Sequence, residues 1–179
     1  MLQLDIAIFY AINHLPHPAF LNLFSQIVHY ATLGGLIYYP FFIFLFLLKD
    51  YKKLAVLAAG SSLVTYIVTD LILKNFFDRV RPFKALVDVN YVPNSPGSFS
   101  FPSGQTGTAF AVAMIFVLLF PRKIQTYLVL AFAFLVALDR IYMGHHYPSD
   151  VLAGALIGAL VSLLINAFVK NSRLSATAA

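Results

Sequence analysis

Five stretches of this chain are too apolar to be solvated by water: residues 19–49, 52–77, 102–120, 124–142 and 148–169. A helix rises about 1.5 Å per residue, so roughly 20 apolar residues cross a bilayer's hydrocarbon layer. Inside that layer each backbone N–H and C=O must be satisfied by the chain itself, and a helix does this locally. The expected fold is therefore all-α, an integral membrane bundle of about five spanning helices. The first stretch is long and contains Gly34, Gly35 and Pro40, which predicts a kink or an interfacial beginning. It is too short for two crossings.

Composition narrows the class further. The 179 residues suit one membrane-embedded domain over 1–179, and 60% hydrophobic against 11% charged residues exclude an ordinary soluble one. Residues 2–15 alternate apolar side chains with Gln3, Asp5 and Asn13 and stop at Pro16, which predicts a short interfacial helix within 1–15. No cationic leader with a small-residue cleavage site precedes it, so no removable signal peptide is expected. The only long polar stretch, 78–101, is rich in Pro, Asn, Ser and Gly and reads as an active-site loop. Residues 172–179 read as a flexible tail. The chain has no cysteine, which removes disulfides and thiolate chemistry. Its net charge of +5 suits anionic headgroups, and no basic–aromatic stripe suggests nucleic acid. Oligomeric state leaves no mark on the sequence.

Three polar islands interrupt this apolar background: Lys74 and Arg81-Pro82, then Pro102-Ser103-Gly104-Gln105, then Arg140, His146 and Asp150. With five crossings, all three fall at span ends on one membrane face. Three cations beside a turn with free N–H groups suit a multiply charged oxyanion. A histidine with a carboxylate one helical turn away can be oriented as a nucleophile, with Asp150 accepting the ring N–H of His146. Asp70, one turn before Lys74, is placed to pair with it.

Each island also has a plainer explanation. Lys and Arg at span ends commonly snorkel to headgroups, and Arg79 and Lys84 suit that role better than Lys74 and Arg81. Pro102 and Ser103 make an ordinary helix start. His146 could be a structural cap, and His145 reads as a bystander or rim residue. Metal binding is not expected, because no His/carboxylate set has ligand spacing. Gly154 and Gly158 most simply let another helix approach.

Taken together, the islands resemble the type 2 phosphatidic acid phosphatase superfamily, whose site is shared with vanadium haloperoxidases. That pattern is Lys-x6-Arg-Pro, Pro-Ser-Gly-His and Ser-Arg-x5-His-x3-Asp, and the match runs from Asp70 to Asp150. The resemblance implies a metal-independent, cofactor-free membrane lipid phosphatase. Lys74, Arg81 and Arg140 would clamp phosphate, with Ser103 and the Gly104 N–H completing the cradle. His146 would attack phosphorus to give a phosphohistidine, and Asp150 would hold it. The substrate would be a lipid phosphate or diphosphate such as phosphatidate, an isoprenyl diphosphate carrier or lipid A.

Two positions depart from the pattern. Asp139 stands where Ser is usual, and Gln105 replaces the His that would protonate the leaving oxygen. Glutamine can donate a hydrogen bond but has no pKa useful for general acid catalysis. An introduced substitution, a naturally impaired enzyme and a leaving group that needs little protonation all fit. A non-catalytic lipid-phosphate binding or transport protein is the alternative from another class. Lys49, Lys52, Lys53, Arg122, Lys123, Lys170 and Arg173 cluster on the face opposite the islands. The positive-inside rule then places the islands on the periplasmic or extracellular face of the cell membrane.

Overall fold

The computed structural model describes residues 2–33, 37–92 and 97–177. Among them all regular structure is helical, in the order α1 (Leu2–Asn13), α2 (Ala19–Thr32), α3 (Tyr38–Leu47), α4 (Lys52–Tyr66), α5 (Lys74–Phe77), α6 (Pro82–Ala85), α7 (Gly104–Leu119), α8 (Ile124–Tyr142) and α9 (Pro148–Thr177). Three helical segments are long and apolar enough to cross a membrane: Lys49–Ala85, Ile124–Tyr142 and Pro148–Ser172. Tyr38–Leu47 and Gly104–Leu119 are shorter apolar helices.

The stretch 19–49, expected as one kinked helix, is two helices. Gly34 and Gly35 lie outside the described residues, while the Ile37 N–H donates to the Ala31 carbonyl across the break at 2.8 Å. Pro40 sits in the first turn of α3, where its missing N–H costs no helical bond. Residues 52–77 run continuously, but Ile67–Leu73 is π-helical, which sequence patterning did not anticipate. The wider turn is closed by the Lys74 N–H on the Thr69 carbonyl, and such π-bulges recur at functional sites.

Helix α7 is the centre of the bundle. Its Ala109, Ala111, Val112, Ala113 and Ile115 are all buried, and Leu54, Ala58 and Val136 from α4 and α8 join the same core. The glycines expected to admit a close neighbour do so. A Cβ on Gly154 would collide with the Ser103 carbonyl, and one on Gly158 with the Gly107 carbonyl. Helices α7 and α9 therefore meet backbone to backbone. Ser162 tightens the contact by donating to the Ala111 carbonyl at 2.8 Å. On its other side α9 exposes Leu152, Leu156, Leu160 and Leu164, a stripe suited to lipid.

Helix α1 does more than lie on the surface. It exposes Leu4 and Ile8 but buries Asp5, Phe9 and Asn13 against the ends of α8 and α9. Asn13 ties the loop down, donating to the Asn90 and Tyr142 carbonyls and accepting from the Asn90 N–H. The segment expected as a flexible tail begins inside α9, whose helix continues through Thr177; residues 178 and 179 lie outside the described ones.

Candidate active site

The ends of α2, α4 and α7, the π-helical turn, the polar loop and the segment before α9 surround a cleft of about 280 Å³. Five residues expected at the site line it: Lys74, Arg81, Gly104, Gln105 and His146. Lys74 is buried and paired with Asp70 one turn earlier, as the spacing predicted. The Asp70 carboxylate also accepts from Thr69 Oγ1 at 2.9 Å and packs against the start of α7. A Cβ at position 104 would collide with that carboxylate, so a larger residue there would have to displace the Asp70 side chain.

Arg81 is fixed by the polar loop. Its Nε donates to the Ser98 carbonyl at 2.8 Å and one terminal nitrogen to the His145 carbonyl at 3.0 Å. That same nitrogen lies 3.1 Å from His146 Nε2. A guanidinium only donates, so Nε2 must present its lone pair. The other ring nitrogen, Nδ1, lies 2.7 Å from the Ser100 carbonyl and must carry the proton. Both contacts select one neutral tautomer, with the lone pair toward the cations. Burial, then the charges of Arg81, Lys74 and Arg140, push the His146 pKa well below the ordinary histidine value of 6.5.

The backbone carbonyl of Ser100, rather than Asp150, thus orients His146. Asp150 Oδ2 stands 3.6 Å from Nδ1, beyond hydrogen-bond reach. Its oxygens are occupied by Arg79 at 2.5 Å, the Ser100 hydroxyl at 2.5 Å and the Tyr147 N–H at 2.9 Å. The i,i+4 spacing reflects a helix start: Pro148 opens α9, and Asp150 in the first turn reaches back to the N–H before it. By gripping the Ser100 hydroxyl, Asp150 also positions the carbonyl that holds His146.

Four further residues sit differently from expectation. Arg140 does not line the cleft: it is fully buried behind it, bonded to Asp139, Gln105 and His29. Ser103 is also fully buried, its hydroxyl exchanging a hydrogen bond with Thr106 at 2.9 Å. Arg79 is no snorkelling cation. It bridges Asp150 and Asp5, which lies 2.6 Å away on α1, and covers the Tyr147 ring at 3.9 Å. His145 is buried rather than at a rim, and burial, followed by the Arg140 charge, lowers its pKa to about 2.

Sequence reading also missed residues that complete the site. His29 and Thr32 reach the cleft from α2, and Ser98 from the loop. Asp5 accepts from Ser149 N–H at 2.8 Å and Ser149 Oγ at 2.5 Å, so the first helix braces the start of the last. None of these belongs to a recognisable motif. The only advance sign was polarity in otherwise apolar helices.

A helical membrane protein with an oriented neutral histidine facing two cations is equipped to bind and attack a phosphoryl group. The chain belongs to the PAP2 superfamily, whose family model matches residues 54–174. It is 31% identical over 170 residues to the bacitracin transport permease protein BcrC of Bacillus licheniformis, covering 91% of this chain and 79% of that one. It is 30% identical over 140 residues to a lipid A 4'-phosphatase of Bacteroides thetaiotaomicron, covering 72% and 62%. Among solved structures, Aquifex aeolicus LpxE superposes with a TM-score of 0.79 at 32% identity, covering 90% of this chain and 94% of that one.

Proposed function

We propose that this protein is a membrane lipid phosphatase that hydrolyses a lipid phosphate or diphosphate through a phosphohistidine at His146. The observation that carries the reading is the tautomer: Nδ1–H is held by the Ser100 carbonyl while the Nε2 lone pair faces Arg81 across the cleft. Relatives that are lipid A phosphatases and undecaprenyl-diphosphatases support the substrate class. An arriving phosphate would take over the Arg81 donor, releasing the lone pair. Lys74 and Arg81 would neutralise phosphoryl oxygens, and the N–H groups opening α7 would complete the cradle. Arg140 and Ser103 would support this cradle from behind.

In the first half-reaction the Nε2–P bond forms as the bond from phosphorus to the leaving oxygen breaks, and the electron pair leaves on that oxygen. In the second, water attacks phosphorus, the P–N bond breaks, and inorganic phosphate departs with the water's oxygen. Gln105 cannot supply a proton to the first step. An alkoxide needs that proton, whereas a phosphate monoester is stable as an anion. The protein is therefore expected to favour a lipid diphosphate over phosphatidate more strongly than Gln105→His does. General acid catalysis is worth about 10²–10⁴-fold, and most of that gain should fall on phosphatidate. The check is the ratio of kcat/KM values for both lipids in both proteins. An equal gain on each would remove the leaving-group explanation. Lipid-phosphate binding with no phosphate release by either protein would instead favour a carrier.

The site is proposed to face away from the cytoplasm, since Lys49, Lys52 and Lys53 lie at the opposite end of α4. In this cysteine-free chain, Val87→Cys, exposed in the polar loop, should react with an impermeant thiol reagent in intact cells. Lys52→Cys should not. The reverse pattern would invert the topology.

A further inference from the structure

His29 has a geometry that no step above uses. It lies on α2, 45 residues before Lys74 in sequence, and lines the same cleft as Lys74, Arg81 and His146. The residue is 2% exposed. Nδ1 is 2.7 Å from a terminal nitrogen of Arg140. Because the guanidinium can only donate, Nδ1 is an acceptor and the ring proton sits on Nε2. That Nε2–H has no hydrogen-bond partner among the described residues.

Gln105 accounts for the placement. Its side-chain N–H groups donate to the His29 carbonyl and to Thr32 Oγ1, each at 3.0 Å, and its carbonyl accepts from Arg140. The amide is thus committed to α2 and Arg140. Gln105 and Arg140 together hold the His29 backbone and the Nδ1 edge of its ring, the His145 ring packs edge-on against it at 5.4 Å, and the residue lines the cleft.

We propose that His29 is a catalytic hydrogen-bond donor to the leaving-group oxygen, carried on α2 in place of an acid at position 105. This rests on the phosphatase reading and deepens it. As the Nε2–P bond to His146 forms, the electron pair passes to the leaving oxygen, which accepts a hydrogen bond from His29 Nε2–H. No proton is transferred, because His29 is neutral and Arg140 occupies the nitrogen that would have to be protonated for it to act as an acid. The leaving group departs as an anion, stabilised by the donor. Such a device serves leaving groups that are already stable as anions, which points to a lipid diphosphate.

The test uses the intact protein in detergent, with phenyl phosphate and p-nitrophenyl phosphate alongside a lipid diphosphate. His29→Asn keeps an amide oxygen that can accept from Arg140 but is too short to present a donor in the cleft. It should lower kcat on the lipid diphosphate by about 10²-fold, as loss of a transition-state donor does. KM should change little. The loss on phenyl phosphate, whose leaving group is the more basic, should exceed that on p-nitrophenyl phosphate by at least about tenfold. His29→Gln, long enough to return an N–H to the Nε2 position, should recover most of the difference. An equal loss on both aryl phosphates, or a loss confined to KM, would overturn the proposal while leaving the phosphatase reading intact. No phosphate release from the unaltered protein on any of the three would overturn both.

Discussion

His146→Ala is expected to lower kcat on any phosphate ester by about 10⁴–10⁶-fold, the scale seen when a covalent nucleophile is removed. Among the described residues the other histidine lining the cleft, His29, has its Nδ1 lone pair taken by Arg140. His145, its neighbour in sequence, is buried with Nε2 3.3 Å from the Val92 carbonyl and does not line the cleft. His145→Ala should therefore retain far more activity than His146→Ala, though the cavity it leaves costs stability. Comparable losses from the two would displace His146 as nucleophile. Rapid acid-free quenching with radiolabelled substrate offers a second measurement, since a phosphohistidine should appear on the unaltered protein and not on His146→Ala.

The pH dependence follows from the same environment. The His146 pKa is lowered in the folded protein, so its lone pair remains available as pH falls through the ordinary value of 6.5. The kcat/KM profile should show no acid limb from this group near that value. Stability behaves differently. The unfolded chain takes up protons on His145 and His146 near their ordinary value while the folded protein resists, so stability is full above that pH and declines as pH falls. Detergent-phase melting followed from pH 8 to pH 5 measures the decline (about 10³-fold in proton concentration).

Asp150→Ala should damage both fold and reaction, and by a route that spacing alone would misattribute. The carboxylate is fully buried and accepts from Arg79, Ser100 and the Tyr147 N–H. Removing one partner of a buried ion pair typically costs about 3–5 kcal/mol, because the remaining charge is left without compensation. Arg79 retains Asp5, which places the expected loss toward the lower end. Activity should fall by about 10²–10³-fold, since the Ser100 carbonyl that fixes the His146 tautomer loses its anchor. The distinguishing measurement is Ser100→Ala, which keeps the carbonyl but not the hydroxyl. It should reproduce part of the activity loss with little change in the Arg79 contacts. Full activity in Ser100→Ala would mean that Asp150 acts on His146 without the serine.

How much of this was legible beforehand depends on the range of the interaction. The pairing of Asp70 with Lys74 was readable because both partners lie on one helix face. So was the close approach at Gly154 and Gly158, because glycine spacing reports a helix surface without naming its neighbour. The His146–Asp150 interval was read as a direct contact, but the same interval also fits a carboxylate capping its own helix start. Spacing does not separate those two outcomes. The Ser100 carbonyl was invisible, since every residue has one and only the path of the loop decides which meets the ring. Arg79 and Asp5 are 74 positions apart, and a lone charge in an apolar segment does not announce a partner so distant. The π-turn at Ile67–Leu73 was hidden for another reason: shifting the hydrogen bonding by one residue leaves the apolar pattern almost unchanged.

The backbone contact between α7 and α9 has a mechanical consequence. Bilayers differ in thickness and lateral pressure, and both act on a protein through its lipid-facing side chains. Here the spacing of the two helices is set by carbonyls seated against glycines, with no compressible side chain between them. One helix opens with Gly104 and Gln105, while the other opens two residues after His146. The gap between cradle and histidine is thereby gauged by two rigid main chains, and squeezing the outer leucine stripe has little leverage on it. A catalyst that must work while its own substrate alters the surrounding lipid gains from having its reacting distance insulated in this way.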